Sequence, residues 1–184
     1  MLFRSYDNGR TWGDKSLIAS DTKGYLGQHY GINYNETALL NLGNGELVAM
    51  IRADSSFHSD EGKPMRVGGI GELLISRSFD SGLSWFPPKS TGIWGQPAHL
   101  LKLSDGRIIC TYGYRKKPYG IRAVLSEDRG CTWSDPIIIH EGAPSWDIGY
   151  PSSVELSQGS ILSCYYYHDQ DGIRYIAGTH WTVK

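Results

Sequence analysis

An eight-residue phrase occurs three times in this 184-residue chain, as SYDNGRTW from Ser5 to Trp12, SFDSGLSW from Ser78 to Trp85 and SEDRGCTW from Ser126 to Trp133. All three read Ser-X-Asp-X-Gly-X-Ser/Thr-Trp, and so regular a recurrence is the mark of a repeat architecture. The chemistry is that of a turn. Ser and Asp side chains bond backbone groups inside it, Gly takes a positive φ, and Trp packs under the following strand.

Each phrase follows an alternating apolar stretch, clearest in GELLISRS and YGIRAVLS, and precedes a short strand such as that through Pro136 to His140. It therefore joins two antiparallel strands. Upstream of the second and third phrases lie two further strands joined by a tight turn: ALLNL and ELVAMIRA around Asn44, then HLLKL and RIICTYGY around Asp105. One repeat is thus four antiparallel strands, A to D. A C-terminal set, SSVEL, SILSCYYY and IRYIAGTHW, supplies only A to C, and the N-terminus supplies only C and D. No helical periodicity is present. Tandem four-stranded units without helices predict an all-β propeller of about three blades. The expected segments are 1–19 (strands C and D of a blade), 34–91 and 96–140 (a blade each) and 148–184 (an incomplete blade).

Composition narrows the partners. Lys+Arg of 18 against Asp+Glu of 19, a formal charge of -1 without charge runs, gives no footprint for nucleic acid or an anionic membrane. No apolar run reaches the roughly 18 residues of a membrane span, and MLFRSYDNGR lacks the apolar region of a signal peptide. The compartment stays open. Cys110, Cys131 and Cys164, an odd number without Cys-X-X-Cys spacing, argue against a disulfide framework and a structural zinc site. His168 to Gly172 superficially resembles a calcium loop but lacks the later Glu and falls where a B–C turn is needed. No cofactor and no metal are expected. The 6 Trp, 12 Tyr and 4 Phe suit either sugar rings or sheet packing.

Hairpin arithmetic then places side chains on one mouth of the ring. The start of strand A and the end of strand B are equally far from the A–B turn, so Glu36 and Arg52, each eight positions from Asn44, face one another if no bulge intervenes. The same count brings Gln96 and His99 to the mouth with Tyr112, Tyr114 and Arg115. Arg122 joins them at the start of strand C. In the last unit Asp147 and Tyr150 come to the mouth beside Tyr167 and His168, and the B–C loop from Ala53 to Gly69 overhangs it. The three phrases lie at the opposite mouth, as scaffold. A rim of Arg and Tyr beside a lone Glu fits an anionic, ring-shaped ligand, because Arg matches a carboxylate bidentately.

These residues resemble the sialidase (neuraminidase) superfamily, six-bladed propellers whose Asp-boxes, or BNR repeats, look like the three phrases. Asn35-Glu36-Thr37, followed by a hairpin ending at Arg52, is similar to the family stretch in which an Asn-Glu pair precedes an active-site arginine. Gly149-Tyr150-Pro151-Ser152-Ser153 looks like the Tyr-Ser segment that carries the family's nucleophile, with one inserted Pro. The resemblance implies the C-terminal half of such a ring. It also implies a retaining exo-glycosidase for terminal sialic acid or a related acidic sugar, with Tyr150 as nucleophile, Glu36 as its base and Arg52 in a carboxylate-binding arginine triad. A Tyr nucleophile makes sense there, because the anomeric carboxylate of a sialic acid would repel an ionised Asp or Glu.

Three matters stay open at this level. Arg115 and Arg122 are both candidates for the third arginine of the triad. The family's first arginine and its Asp acid lie in N-terminal blades and have no counterpart among these residues. His99 and Asp147 depart from the family pattern and suggest a related glycosidase for another, uronate-type sugar. A carbohydrate-binding propeller without hydrolysis is the remaining alternative. The strand count, finally, predicts a homo-oligomer or a fragment of a longer chain: two chains meeting head to tail would lend each other the missing strands.

Overall fold

The computed structural model describes residues 1–20, 31–58, 64–65 and 71–183, and among them every regular element is a strand. A two-stranded ribbon, β1 (Leu2–Arg4) with β2 (Gly13–Ser16), comes first. The next sheet has the order β3 (Gly31–Gly43), β4 (Glu46–His58), β6 (Glu72–Ser78), β7 (Lys89–Trp94), with the short β5 (Pro64–Met65) paired to the far end of β4. A four-stranded sheet follows, built from β8 (Ala98–Lys102), β9 (Ile108–Tyr114), β10 (Tyr119–Ser126) and β11 (Ile137–Ala143) in chain order. The last sheet is three-stranded, with β12 (Gly149–Ser157), β13 (Ser160–His168) and β14 (Arg174–Thr182). All pairings are antiparallel. This is the meander of propeller blades, and the fold is that of a β-propeller fragment.

The sheets stack face to face, which explains the apolar pattern of the middle strands. In β4, Val48 and Met50 point to one side and join Leu100, Ile108, Cys110 and Tyr112 of the next sheet, whereas Ala49, Ile51 and Ala53 point to the other and meet Ile18 and Ala19 near the ribbon. Strand β9 is covered on both sides and buried over six of its seven residues. Such a strand reads as a continuous apolar run instead of an alternation. On its far face Ile109 packs with Ile161 of the last sheet, and Thr111 Oγ1 lies 3.1 Å from Ser153 Oγ.

The three repeated phrases fold alike. In the first, Gly9 N–H donates to Ser5 Oγ (2.7 Å), Thr11 N–H to Asp7 Oδ1 (2.8 Å) and Thr11 Oγ1–H to Asp7 Oδ2 (2.6 Å). The counterparts Ser78, Asp80, Gly82 and Ser84, and Ser126, Asp128, Gly130 and Thr132, repeat the set. The Gly and the residue before it are left-handed in every copy, at φ 60 and 83 for Asn8 and Gly9, 59 and 82 for Ser81 and Gly82, and 62 and 82 for Arg129 and Gly130. The tryptophans differ in burial. Trp85 and Trp133 are half-buried, Trp133 against the core between the first two full sheets, whereas Trp12 is 66% exposed.

The third phrase also ties two blades together. Glu46 accepts from Arg77 of its own sheet (2.9 Å) and from Arg129 in the phrase of the next sheet, while Arg77 Nη2–H donates to Arg129 O (2.6 Å).

Candidate active site

The starts of β3, β8 and β12 and the ends of β4, β9 and β13 lie at one mouth, which collects most of the candidate side chains. Register in the first hairpin departs from simple mirror pairing. Arg52 pairs with Asn35, Met50 pairs with Ala38, and Glu36 sits in the intervening bulge with a left-handed φ of 42. The bulge is local and does not separate the two side chains. Arg52 Nη1–H donates to Glu36 Oε2 at 2.6 Å, and Arg52 Nε–H donates to Asp54 Oδ2 at 3.0 Å. Asn35 Nδ2–H reaches the same Asp54 oxygen at 3.1 Å. Arg52 is thereby held between two carboxylates, a fixed fork instead of a mobile cation.

The other oxygen of Glu36 faces a different blade. Tyr150 Oη–H donates a short hydrogen bond to Glu36 Oε1, joining residues 114 apart in sequence. Tyr150 is itself left-handed, at φ 51, and 51% exposed. A left-handed tyrosine is uncommon, and such strain persists only where surrounding contacts over-determine it. Its phenol is raised above the ordinary tyrosine range, first because it donates to Glu36, then through burial and the Glu36 charge, with Arg52 and Arg115 opposing. At neutral pH the phenol keeps its proton and shares it with Glu36 Oε1 in this hydrogen bond.

Arg115, at the end of β9, lies against this pair. Its guanidinium carbon is 6.0 Å from the Tyr150 ring centre and 5.7 Å from that of Trp146. Its Nε is buried without a hydrogen-bond partner, and it forms no ion pair among the described residues. A cation kept in place by aromatic faces retains its hydrogen-bond donors for an incoming anion. Close approach of the blades sets this up: a side chain at Gly113 would meet Gln96 O at 2.9 Å and Gly149 Cα at 3.1 Å. Gln96 is buried here, with Oε1 unpartnered among the described residues.

The remaining candidates lie apart from the Tyr150–Glu36 contact. Arg122 stacks on Tyr114 at 3.5 Å and pairs with Glu141 at 3.3 Å. His99 points between blades, its Nδ1 accepting from Ser153 N–H at 3.3 Å, and burial pushes its imidazole below the usual range. Asp147 is filled by its own fold. Tyr166 Oη–H donates to it at 2.8 Å and Arg174 Nε–H at 3.0 Å, and these bonds hold its carboxyl below the usual carboxylate range. Sequence reasoning placed Asp54 in the B–C loop over the mouth, whereas it lies within β4, and it passed over Trp146, Tyr166 and Arg174. Trp146 and Asp147 are adjacent to one another in the stretch leading to Tyr150, so their position was visible, although their contacts were not. Glu61, Lys63 and Arg66 of the B–C loop lie outside the described residues.

No family model matches the sequence, and no curated protein matches it. Solved structures do. A protein of unknown function from Dyadobacter fermentans DSM 18053 superposes with a TM-score of 0.76 at 28% identity, over 99% of this chain and 45% of that one. NanB solved with Optactamide gives 0.61 at 10% identity, over 99% of this chain and 46% of that one. Xylan beta-1,4-xylosidase from Bacillus halodurans C-125 gives 0.55 at 14% identity, over 85% and 31%. The chain spans less than half the length of each. These likenesses show the fold, that of a β-propeller fragment.

Proposed function

We propose that this chain supplies the nucleophile side of a retaining exo-glycosidase site for a terminal acidic sugar, sialic acid or a close relative. The observation that carries the reading is the contact of Tyr150 with Glu36 across blades, with Arg52 on the far oxygen of Glu36 and the guanidinium of Arg115, without an ion pair among the described residues, against the Tyr150 ring. Each member has a role that its surroundings favour. Arg115 and Arg52 attract the sugar carboxylate, which brings the anomeric carbon over the phenol. Tyr150 Oη attacks that carbon while its proton passes to Glu36. The bond to the aglycone breaks with its electron pair going to the aglycone oxygen, which takes a proton from an acid expected on the remaining arc of the ring. Water then displaces the tyrosyl oxygen from the anomeric carbon, giving its proton to the group on the remaining arc that had protonated the aglycone, while Tyr150 recovers its own proton from Glu36, so that both groups are restored and the outcome is net retention. The repeated phrases, as Asp-boxes, serve only to hold the blades.

The uronate-type alternative rested on His99 and Asp147, both of which are engaged within the protein, so the sialic acid reading is preferred. Calorimetry with N-acetylneuraminic acid and with glucuronic acid tests it on the 184-residue chain. Binding of the former is expected, weakened by about 1.5 to 3 kcal/mol in Arg115→Ala, the range for a hydrogen bond to a charged group. Binding unaffected by this substitution would overturn the assignment of Arg115, and binding of glucuronic acid alone would overturn the sugar.

A further inference from the structure

Trp146 is 58% exposed, although both blades that flank it are present and it stands four residues before Tyr150. Its backbone is firmly held. On one side Ser145 Oγ lies 2.9 Å from Nε2 of the buried His168, and Asp147 N–H donates back to Ser145 Oγ at 3.2 Å. On the other, Asp147 is clamped by Tyr166 and Arg174, Ile148 N–H donates to Trp146 O at 2.9 Å, and the Ile148 side chain is fully buried. The indole therefore projects from a fixed segment into solvent and does not ride on a mobile loop. Arg115 lies against it and against Tyr150 alike, so the ring borders the cation assigned above to the sugar carboxylate.

A large apolar ring kept wet and rigid beside a sugar site suits the apolar face of a second sugar ring, which can stack on it with little conformational cost. We infer that Trp146 is the platform for the unit joined to the acidic sugar, so that the ligand recognised is an oligosaccharide with an acidic terminal residue. The inference rests on the functional reading above and extends it from a terminal sugar to the unit that the sugar caps. In that arrangement the clamp of Asp147 by Arg174 and Tyr166 is a positioning device for the indole. This gives the departure from the sialidase pattern at Asp147 a use other than ligand contact.

The test compares the methyl glycoside of N-acetylneuraminic acid with sialyllactose on the wild-type chain, Trp146→Ala and Trp146→Phe, by calorimetry, with thermal melts to verify folding. The wild type is expected to bind the trisaccharide about tenfold more tightly than the monosaccharide, and Trp146→Ala to remove that difference, over and above any loss that both ligands share through the seat of Arg115. Trp146→Phe, which keeps a ring, is expected to retain part of the gain. Equal wild-type affinity for the two ligands would overturn the platform. So would an equal loss for both in Trp146→Ala, since the indole would then serve only to hold Arg115. If neither ligand binds the wild type, the functional reading itself fails and the platform with it, an outcome distinct from the other two.

Discussion

At the scale of single residues, the arginines of the mouth differ in what already occupies them. Arg52 is committed to Glu36 and Asp54, Arg122 to Glu141 and the Tyr114 face, and Arg115, among the described residues, to aromatic rings alone. Ligand binding should discriminate among them accordingly. Arg122→Ala is expected to leave affinity for the acidic sugar within about twofold in calorimetry while lowering stability by about 1 kcal/mol, the sum of a partly exposed ion pair and one cation–π contact. A tenfold loss of affinity would place Arg122 in the site after all. Strand position alone leaves Arg115 and Arg122 equivalent, because both lie near the B–C turn of one blade. Their separation comes from side-chain direction: Arg122, partnered by Tyr112 within the sheet, lies over Tyr114, whereas Arg115 at the strand end reaches the next blade. The contact of Glu36 with Arg52 was legible because hairpin symmetry is a property of the backbone. That Asp147 is filled was not, since Arg174 lies 27 residues away on another strand.

At the scale of the element, the repeated turn was legible in the sequence almost in full. Its Ser, Asp and Ser/Thr side chains bond within eight residues, so the local sequence contains their partners. Register at the start of β3 was less so, because the left-handed bulge at Glu36 answers to contacts with β4 and β12 and to no local turn signal. The turn also sets an acid limb for stability. Asp7, Asp80 and Asp128 are each lowered to about 2, chiefly by the side-chain hydroxyl of Thr11, Ser84 and Thr132. A carboxyl depressed on folding contributes stability that is complete above its unfolded pKa of about 4 and is lost as pH falls through the folded value. The melting temperature of the chain is therefore expected to fall between about pH 4 and pH 2, and Asp128→Asn to be less stable at pH 7 with a shallower decline over that window. A slope unchanged by the substitution would mean that this carboxylate is not among the groups that set acid stability.

At the scale of the whole molecule, the site is a product of blade stacking. Glu36 and Arg52 come from one sheet, Arg115 from the next and Tyr150 from the last, and the Gly113–Gly149 approach together with the Glu46–Arg77–Arg129 staple keeps those sheets in place. The outer face of the last sheet exposes Val154, Leu156 and Ile176, the kind of surface that one propeller blade offers another. The blade count was legible because repeats announce themselves; the meeting of Tyr150 with Glu36 was only implied by a resemblance, because nothing local connects residues so far apart. The most direct measurement of the central claim is covalent trapping with a 3-fluorosialosyl fluoride, followed by peptide mass spectrometry. Fluoride leaves without protonation, so an acid from the remaining arc is not required, and the second fluorine slows release of the adduct. The expected result is one glycosyl adduct on Tyr150, absent in Tyr150→Phe and slowed by about a hundredfold or more in Glu36→Gln, the usual range for loss of a general base. No adduct, or one on another residue that persists in Tyr150→Phe, would contradict the assignment of Tyr150 as nucleophile.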